Sequence, residues 1–237
     1  MSRRRFRNFT PVGSEIVYTN FHYTVSANNV NFFTDAGSPV AGNYNIIVDP
    51  GVILGSTSTG TASAITGIFP GALKITVLGR IQGKGGAGGD GILITGKFSI
   101  AGGGGGGGAG TDPGAGGDAD PNATNGSAGT ATSGGSGGTT GSQVGVGSRA
   151  ATNGFPGGPA LSLSMSAYID AFEIWGGGGG GAGDEGLGPP DGGAGGGPGL
   201  PGEDAHSKLG GIAGNAVSLN GNAVTWINQT DVRGGIS

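Results

Sequence analysis

Seven consecutive glycines, Gly102 to Gly108, and a second run at Gly176 to Gly181 restrict this chain more than any other feature. Both lie in a glycine-dominated region from about Gly83 to Gly214. A glycine run has no side chains to bury and loses the most backbone entropy on ordering. It is either a slack linker or a packed structure that only glycine permits. Glycine makes up 61 of the 237 residues, far above the usual ~7%. Disordered chains are rich in charge and poor in aliphatics. Here only 11% of residues are charged and 34% are hydrophobic, so the chain reads as ordered.

An α-helix is excluded from the tracts, because glycine costs about 1 kcal/mol and proline about 3 kcal/mol per interior helical site. The remaining ordered option is an extended left-handed helix with about three residues per turn and ~3.1 Å rise. It has no internal hydrogen bonds, so its backbone groups need partners on neighbouring copies. Residues Gly193 to Asp204 read as four Gly-X-Y triplets, which fits that geometry locally.

Segments rich in β-formers alternate with the glycine. Five share a pattern of four strand residues, a two-residue break and four more: Asn45–Leu54, Lys74–Gly83, Ile92–Ala101, Ser166–Trp175 and Val217–Trp226. Gly96-Lys97 and Gly221-Asn222 suit type II′ turns, so each unit is expected to be a short hairpin or one corner of a coiled β structure. Trp175 and Trp226 follow the strand pattern and read as core. The expected fold class is all-β plus polyglycine-II, with almost no α-helix. The expected divisions are an attachment segment at 1–40, a β-repeat region at 41–101 and a glycine-rich bundle at 102–214. The bundle would carry polar tip loops and an embedded β unit at 160–175, and a C-terminal β unit would occupy 215–237.

Chemistry is sparse. There are no cysteines, and His22 and His206 are the two histidines. No nucleophile elbow or HExxH motif occurs, and Gly83-Lys84 is followed by Gly85 rather than by the Ser or Thr that a phosphate loop requires. An enzyme is not expected, nor any cofactor. Gly85 to Leu93 matches one copy of a calcium-binding nonapeptide, but that site is built between successive repeats. Asp118/Asp120 and Glu203/Asp204 read as solvated tips, so no metal is expected. The body lacks the broad basic face that nucleic acid requires, and no apolar run approaches the ~18 residues of a membrane span. Arg3, Arg4, Arg5, Phe6 and Phe9 form a basic, aromatic N-terminus, read as an arm that docks to another protein. Phe155, Leu187, Leu200 and His206 are scarce apolar or aromatic groups among polar loops and are the candidate binding contacts.

The run Leu78-Gly-Arg-Ile-Gln-Gly-Lys-Gly-Gly-Ala-Gly-Gly-Asp-Gly91 resembles the strand-to-polyglycine units of glycine-rich bacteriophage receptor-binding proteins. The ending from Gly214 through Trp226, followed by Arg233-Gly-Gly-Ile-Ser237, is similar to the C-terminal part of tail-tip and tail-fibre proteins. Over about residues 40–237 the chain resembles the distal adhesin of T-even-like long tail fibres and glycine-rich ends of central tail fibres. The resemblance implies stacked polyglycine-II helices capped by β structure, with tip loops that touch an outer-membrane protein or surface glycan of the host. It implies a place on the distal tail of the virion, other tail or fibre proteins as partners, and a homotrimer or a monomeric tip. The alternative is a structural fibre component or spacer with no receptor role.

Overall fold

The computed structural model describes residues 16–88, 100–101, 107–117, 125–137, 141–142, 151–183, 192–205 and 208–237. Thirteen strands and one short helix run in the order β1 (Tyr18–Tyr23), β2 (Ala27–Asn28), β3 (Val30–Asn31), α1 (Phe32–Asp35), β4 (Asn43–Val48), β5 (Ile53–Gly55) and β6 (Ala64–Ile65). They continue with β7 (Leu73–Gln82), β8 (Ile100–Ala101), β9 (Gly141–Ser142), β10 (Leu161–Ser162), β11 (Ala167–Trp175), β12 (Val217–Ser218) and β13 (Val224–Arg233). The described protein is therefore almost entirely β, with one four-residue helix.

Eleven of these strands form two parallel sheets that wind as one coil. The larger sheet runs β1-β4-β7-β11-β13, with β2 paired to β5 and β5 to β7. The smaller runs β12-β10-β6-β3. Along the chain, each long strand of the first sheet is followed by a short strand of the second and then by the next long strand. Each turn of the coil therefore stacks on the one before it. Aliphatic ladders follow. Phe21, Ile46, Ile75, Ile169 and Trp226 occupy matching positions on successive strands. Ala27, Leu54, Ile81, Ile174 and Val232 form a second stack. Val30, Ala64, Leu161 and Val217 form the facing stack on the smaller sheet. Most of these side chains are buried and belong to one apolar cluster.

The parallel pairing corrects the hairpin expectation. A two-residue turn joins only antiparallel neighbours, whereas a parallel pair needs a long crossover. The breaks read from the sequence instead mark a line of irregularities across one continuous sheet. Register shifts between Ala171 and Glu173 against β7, and residues 49–52 interrupt the β4/β5 edge. The fifth repeat also needs correction. Val217-Ser218 lies in the smaller sheet beside Leu161-Ser162, and the counterpart of β11 is β13, where Ala167 pairs with Val224. Of the third repeat, residues 92–99 lie outside the described residues. Ile100–Ala101 pairs antiparallel with Gly141–Ser142, apart from both sheets. The division at residue 40 falls within the coil, since β1 to β3 pair with β4 to β6.

Glycine excursions leave the coil where the chain passes from β7 to β10 and from β11 to β12. Residues 176–183 are buried throughout and are bonded on all sides to other pieces of backbone. Gly177, Gly180 and Gly183 donate to Gly158, Phe155 and Thr152 at 2.8–3.0 Å. The carbonyls of Gly176, Gly179 and Ala182 accept from Gly199, Gly196 and Gly193 at 2.7–2.8 Å. Those of Gly177 and Gly180 accept from Gly214 and Gly211, while Gly179 and Ala182 donate to Leu200 and Glu203. Gly178 donates to Ala109 and accepts from Gly86. Each neighbour that is met more than once is met every third residue. No side chain takes part, and an added Cβ on any of Gly176 to Gly181 would overlap a backbone carbonyl of another segment. Of Gly102–Gly108, Gly107 and Gly108 are buried in the same packing, and the remainder lies outside the described residues.

Candidate functional site

The end of β11 carries the densest side-chain electrostatics. Trp175 is buried, as its strand position predicts, whereas Trp226 on the edge strand β13 is half-buried and packs against the core from one side. The Arg80 guanidinium lies 3.7 Å from the Trp175 ring centre and that of Arg233 lies 4.2 Å from it. Arg80 Nε donates to Glu173 Oε2 at 2.5 Å, and Arg233 donates twice to Asp231, at 2.8 and 2.9 Å. Those hydrogen bonds hold the Asp231 carboxyl below the usual carboxylate range. Each cation has its own acid, so this cluster clamps three adjacent strands and leaves no unpaired charge for a ligand.

Three concavities open among the described residues. A groove of about 180 Å³ crosses the larger sheet at the irregular line, between Val52, Leu78 and Phe172. A cavity of about 230 Å³ lies beside Ser26, Gln82 and Thr111. Gln82 is fully buried there and donates to the Ala131 carbonyl at 2.5 Å. The largest of the three, about 450 Å³, opens on the glycine packing between Thr59, Lys84, Asp112, Pro113 and Phe155. Lys84 Nζ pairs with Asp112 Oδ2 on its wall.

Backbone bonds position this largest site. Phe155 N–H donates to the Ala87 carbonyl at 2.9 Å, and its own carbonyl accepts from Gly180 at 2.8 Å. The Lys84 carbonyl accepts from Gly158 at 2.7 Å, and Gly85 donates to the Asp112 carbonyl at 3.1 Å. The three side chains therefore project from backbone that is bonded on both sides of the opening.

Phe155 and Leu200, both candidates from the sequence, are exposed at 54% and 59%. They do not share a cavity: Phe155 is bonded to Gly180, while Leu200 is bonded to Gly179 and ends the turn that begins at Gly197. Leu187, His206, Arg3, Arg4, Arg5, Phe6 and Phe9 lie outside the described residues. Lys84 and Asp112 were not legible as a pair, because 28 positions separate them. A lone charged residue opening a glycine tract, as in Gly83-Lys84-Gly85, is the signal that marks one half of it. Among the described residues no group of three potential metal ligands occurs, and no helix is long and apolar enough to cross a membrane.

No protein-family model matches this chain, and no curated protein matches it. It is similar to a solved structure described as the crystal structure of the gp37-gp38 adhesin tip complex of the bacteriophage S16 long tail fiber. The similarity has a TM-score of 0.49 and 15% sequence identity, and covers 93% of this chain and 82% of that chain.

Proposed function

We propose that this chain is a non-catalytic adhesin on the distal tail or tail fibre of a bacteriophage, and that it binds the bacterial surface through side chains held on a polyglycine-II scaffold. The observation that carries the reading is the every-third-residue hydrogen bonding of residues 176–183. A helix with three residues per turn returns to the same neighbour every third residue, so the pattern supports polyglycine-II. A lattice of bare backbone offers little for chemistry. It offers a rigid base from which peripheral side chains and connections meet a partner. Phe155, Leu200, Leu209 and Ile212 are exposed apolar side chains on that base.

The side of the coil opposite the glycine packing suits attachment. Val17, Val40 and Ile68 are exposed at 81%, 95% and 69% where the first three long strands begin, and the glycine excursions leave from the opposite strand ends. Another tail or fibre protein would be held there, together with the arm at Arg3, Arg4, Arg5, Phe6 and Phe9. The homotrimer belongs to this proposal, and sedimentation in solution separates it from a monomeric tip. The receptor would be an outer-membrane protein or surface glycan, with no insertion into the membrane. Labelled purified protein is expected to adhere to cells of a panel of Gram-negative strains and to protect the strains it coats from infection. Failure to bind any strain at micromolar concentration would overturn the adhesin and leave the spacer.

A further inference from the structure

We propose that the cavity between Lys84, Asp112 and Phe155 binds a neutral saccharide. The proposal deepens the adhesin reading and rests on it for biological meaning, whereas the binding chemistry stands on the site alone. The cavity volume, about 450 Å³, falls within the ~300–1,000 Å³ of small-molecule sites. Phe155 is the aromatic residue that lines it, and it is about half exposed. An aromatic face held open to water suits the C–H face of a pyranose, which is apolar on one side and hydroxylated at its rim. The rim needs donors and acceptors. Asp112 is 49% exposed and Lys84 24%, so their ion pair is open on one side to hydroxyl groups.

Charge narrows the class. Lys84 and Asp112 are the charged residues lining the cavity among the described residues, and they cancel. A phosphate or sugar acid would meet Asp112 with no surplus cation, and a bare acyl chain would desolvate the ion pair with nothing to replace water. A polyhydroxylated neutral ring satisfies both charges and covers the phenyl group. Rigidity adds to this, because Phe155, Lys84 and Asp112 all sit on backbone bonded into the packing. Little conformational freedom is lost on binding, which is where pre-organised sites gain affinity. Gly85 and Gly114 line the cavity with backbone that is itself packed against neighbouring segments.

Saturation-transfer NMR on the whole protein, with the methyl glycosides of glucose, galactose and mannose as probes, tests this. Transfer to the C–H protons of at least one sugar is expected. Phe155→Ala should reduce it at least ~5-fold, the scale of losing one aromatic contact. Phe155→Trp should retain it, which guards against a variant that merely fails to fold. Asp112→Asn should weaken it as well. No transfer to any of the three sugars would overturn the proposal, as would transfer unchanged in Phe155→Ala. Inorganic phosphate competing at equal concentration would overturn the neutral class. Adhesion to cells is read separately. A protein that takes up the sugar through Phe155 but coats no cell would support this site and overturn the adhesin reading.

Discussion

Gly79 stands where residues 49–52 fold back over the larger sheet. A Cβ at this position would run into the carbonyls of Val52 and Asp49, and the Val52 carbonyl is already taken by Arg80 N–H at 2.9 Å. One missing methyl group thus lets the interrupted strand pair stay in register. Tyr23 does the opposite and fills space with a polar tip. Its hydroxyl donates to Asp35 Oδ2 at 2.6 Å, tying β1 to the end of α1. Burial first, then that hydrogen bond and the Asp35 charge, push the phenol well above its ordinary value, which is ~10. A group whose folded pKa is raised contributes stability that is intact below its unfolded pKa and lost above it. Wild-type unfolding free energy should therefore fall as pH climbs past about 10, and Tyr23→Phe should lack this component. At neutral pH the substitution should cost about 1 kcal/mol, since exposed Asp35 regains water. Chemical denaturation across the alkaline range measures both.

Elements here are stabilised in two different ways. The coil uses apolar ladders, where each buried aliphatic side chain contributes about 1.5–3 kcal/mol. The glycine segments use hydrogen bonds of roughly 0.5–1.5 kcal/mol net each, made tolerable by the absence of side chains. Gly179→Val should accordingly destabilise by at least ~3 kcal/mol, because its Cβ would enter the Gly211 carbonyl and no flexible side chain lies there to move. Thermal unfolding and soluble yield measure it, and an unchanged melting point would mean the segment yields. The strands β7 and β11 were legible because Lys74-Ile-Thr-Val77 and Tyr168-Ile-Asp-Ala171 alternate. Their parallel pairing was not, since each partner lies tens of residues away and Gly221-Asn222 imitates a hairpin turn between strands that belong to different sheets. The two-residue strands β3, β6, β10 and β12 are too short to show a period. α1 escaped for the same reason: Phe32-Phe-Thr-Asp35 is a single turn, capped by Asn31 accepting from Thr34 N–H. At the site, Phe155 was legible as a scarce aromatic among polar residues. Lys84 and Asp112 meet only because the glycine segments between them fold side by side.

Across the whole molecule the coil and the glycine packing share one backbone. Gly83 follows the last residue of β7, Gly176 follows the last of β11, and Ala160 precedes β10. Neither part has a boundary across which it can loosen alone. The fluorescence of Trp175, at the junction, and the far-ultraviolet signal of the strands should therefore melt in one coincident transition, as two-state behaviour requires. Two separated transitions would show independent units. The neighbours of residues 176–183 have a further consequence. Residues 200–203 run in the same direction as this segment, whereas 193–199, 211–214 and 152–158 run against it. The packing accepts either direction because every bond is between bare backbones of the same threefold repeat. Connections between segments are then free to be shortened, lengthened or rerouted to a different neighbour, and the lattice between them keeps its spacing whatever the wiring.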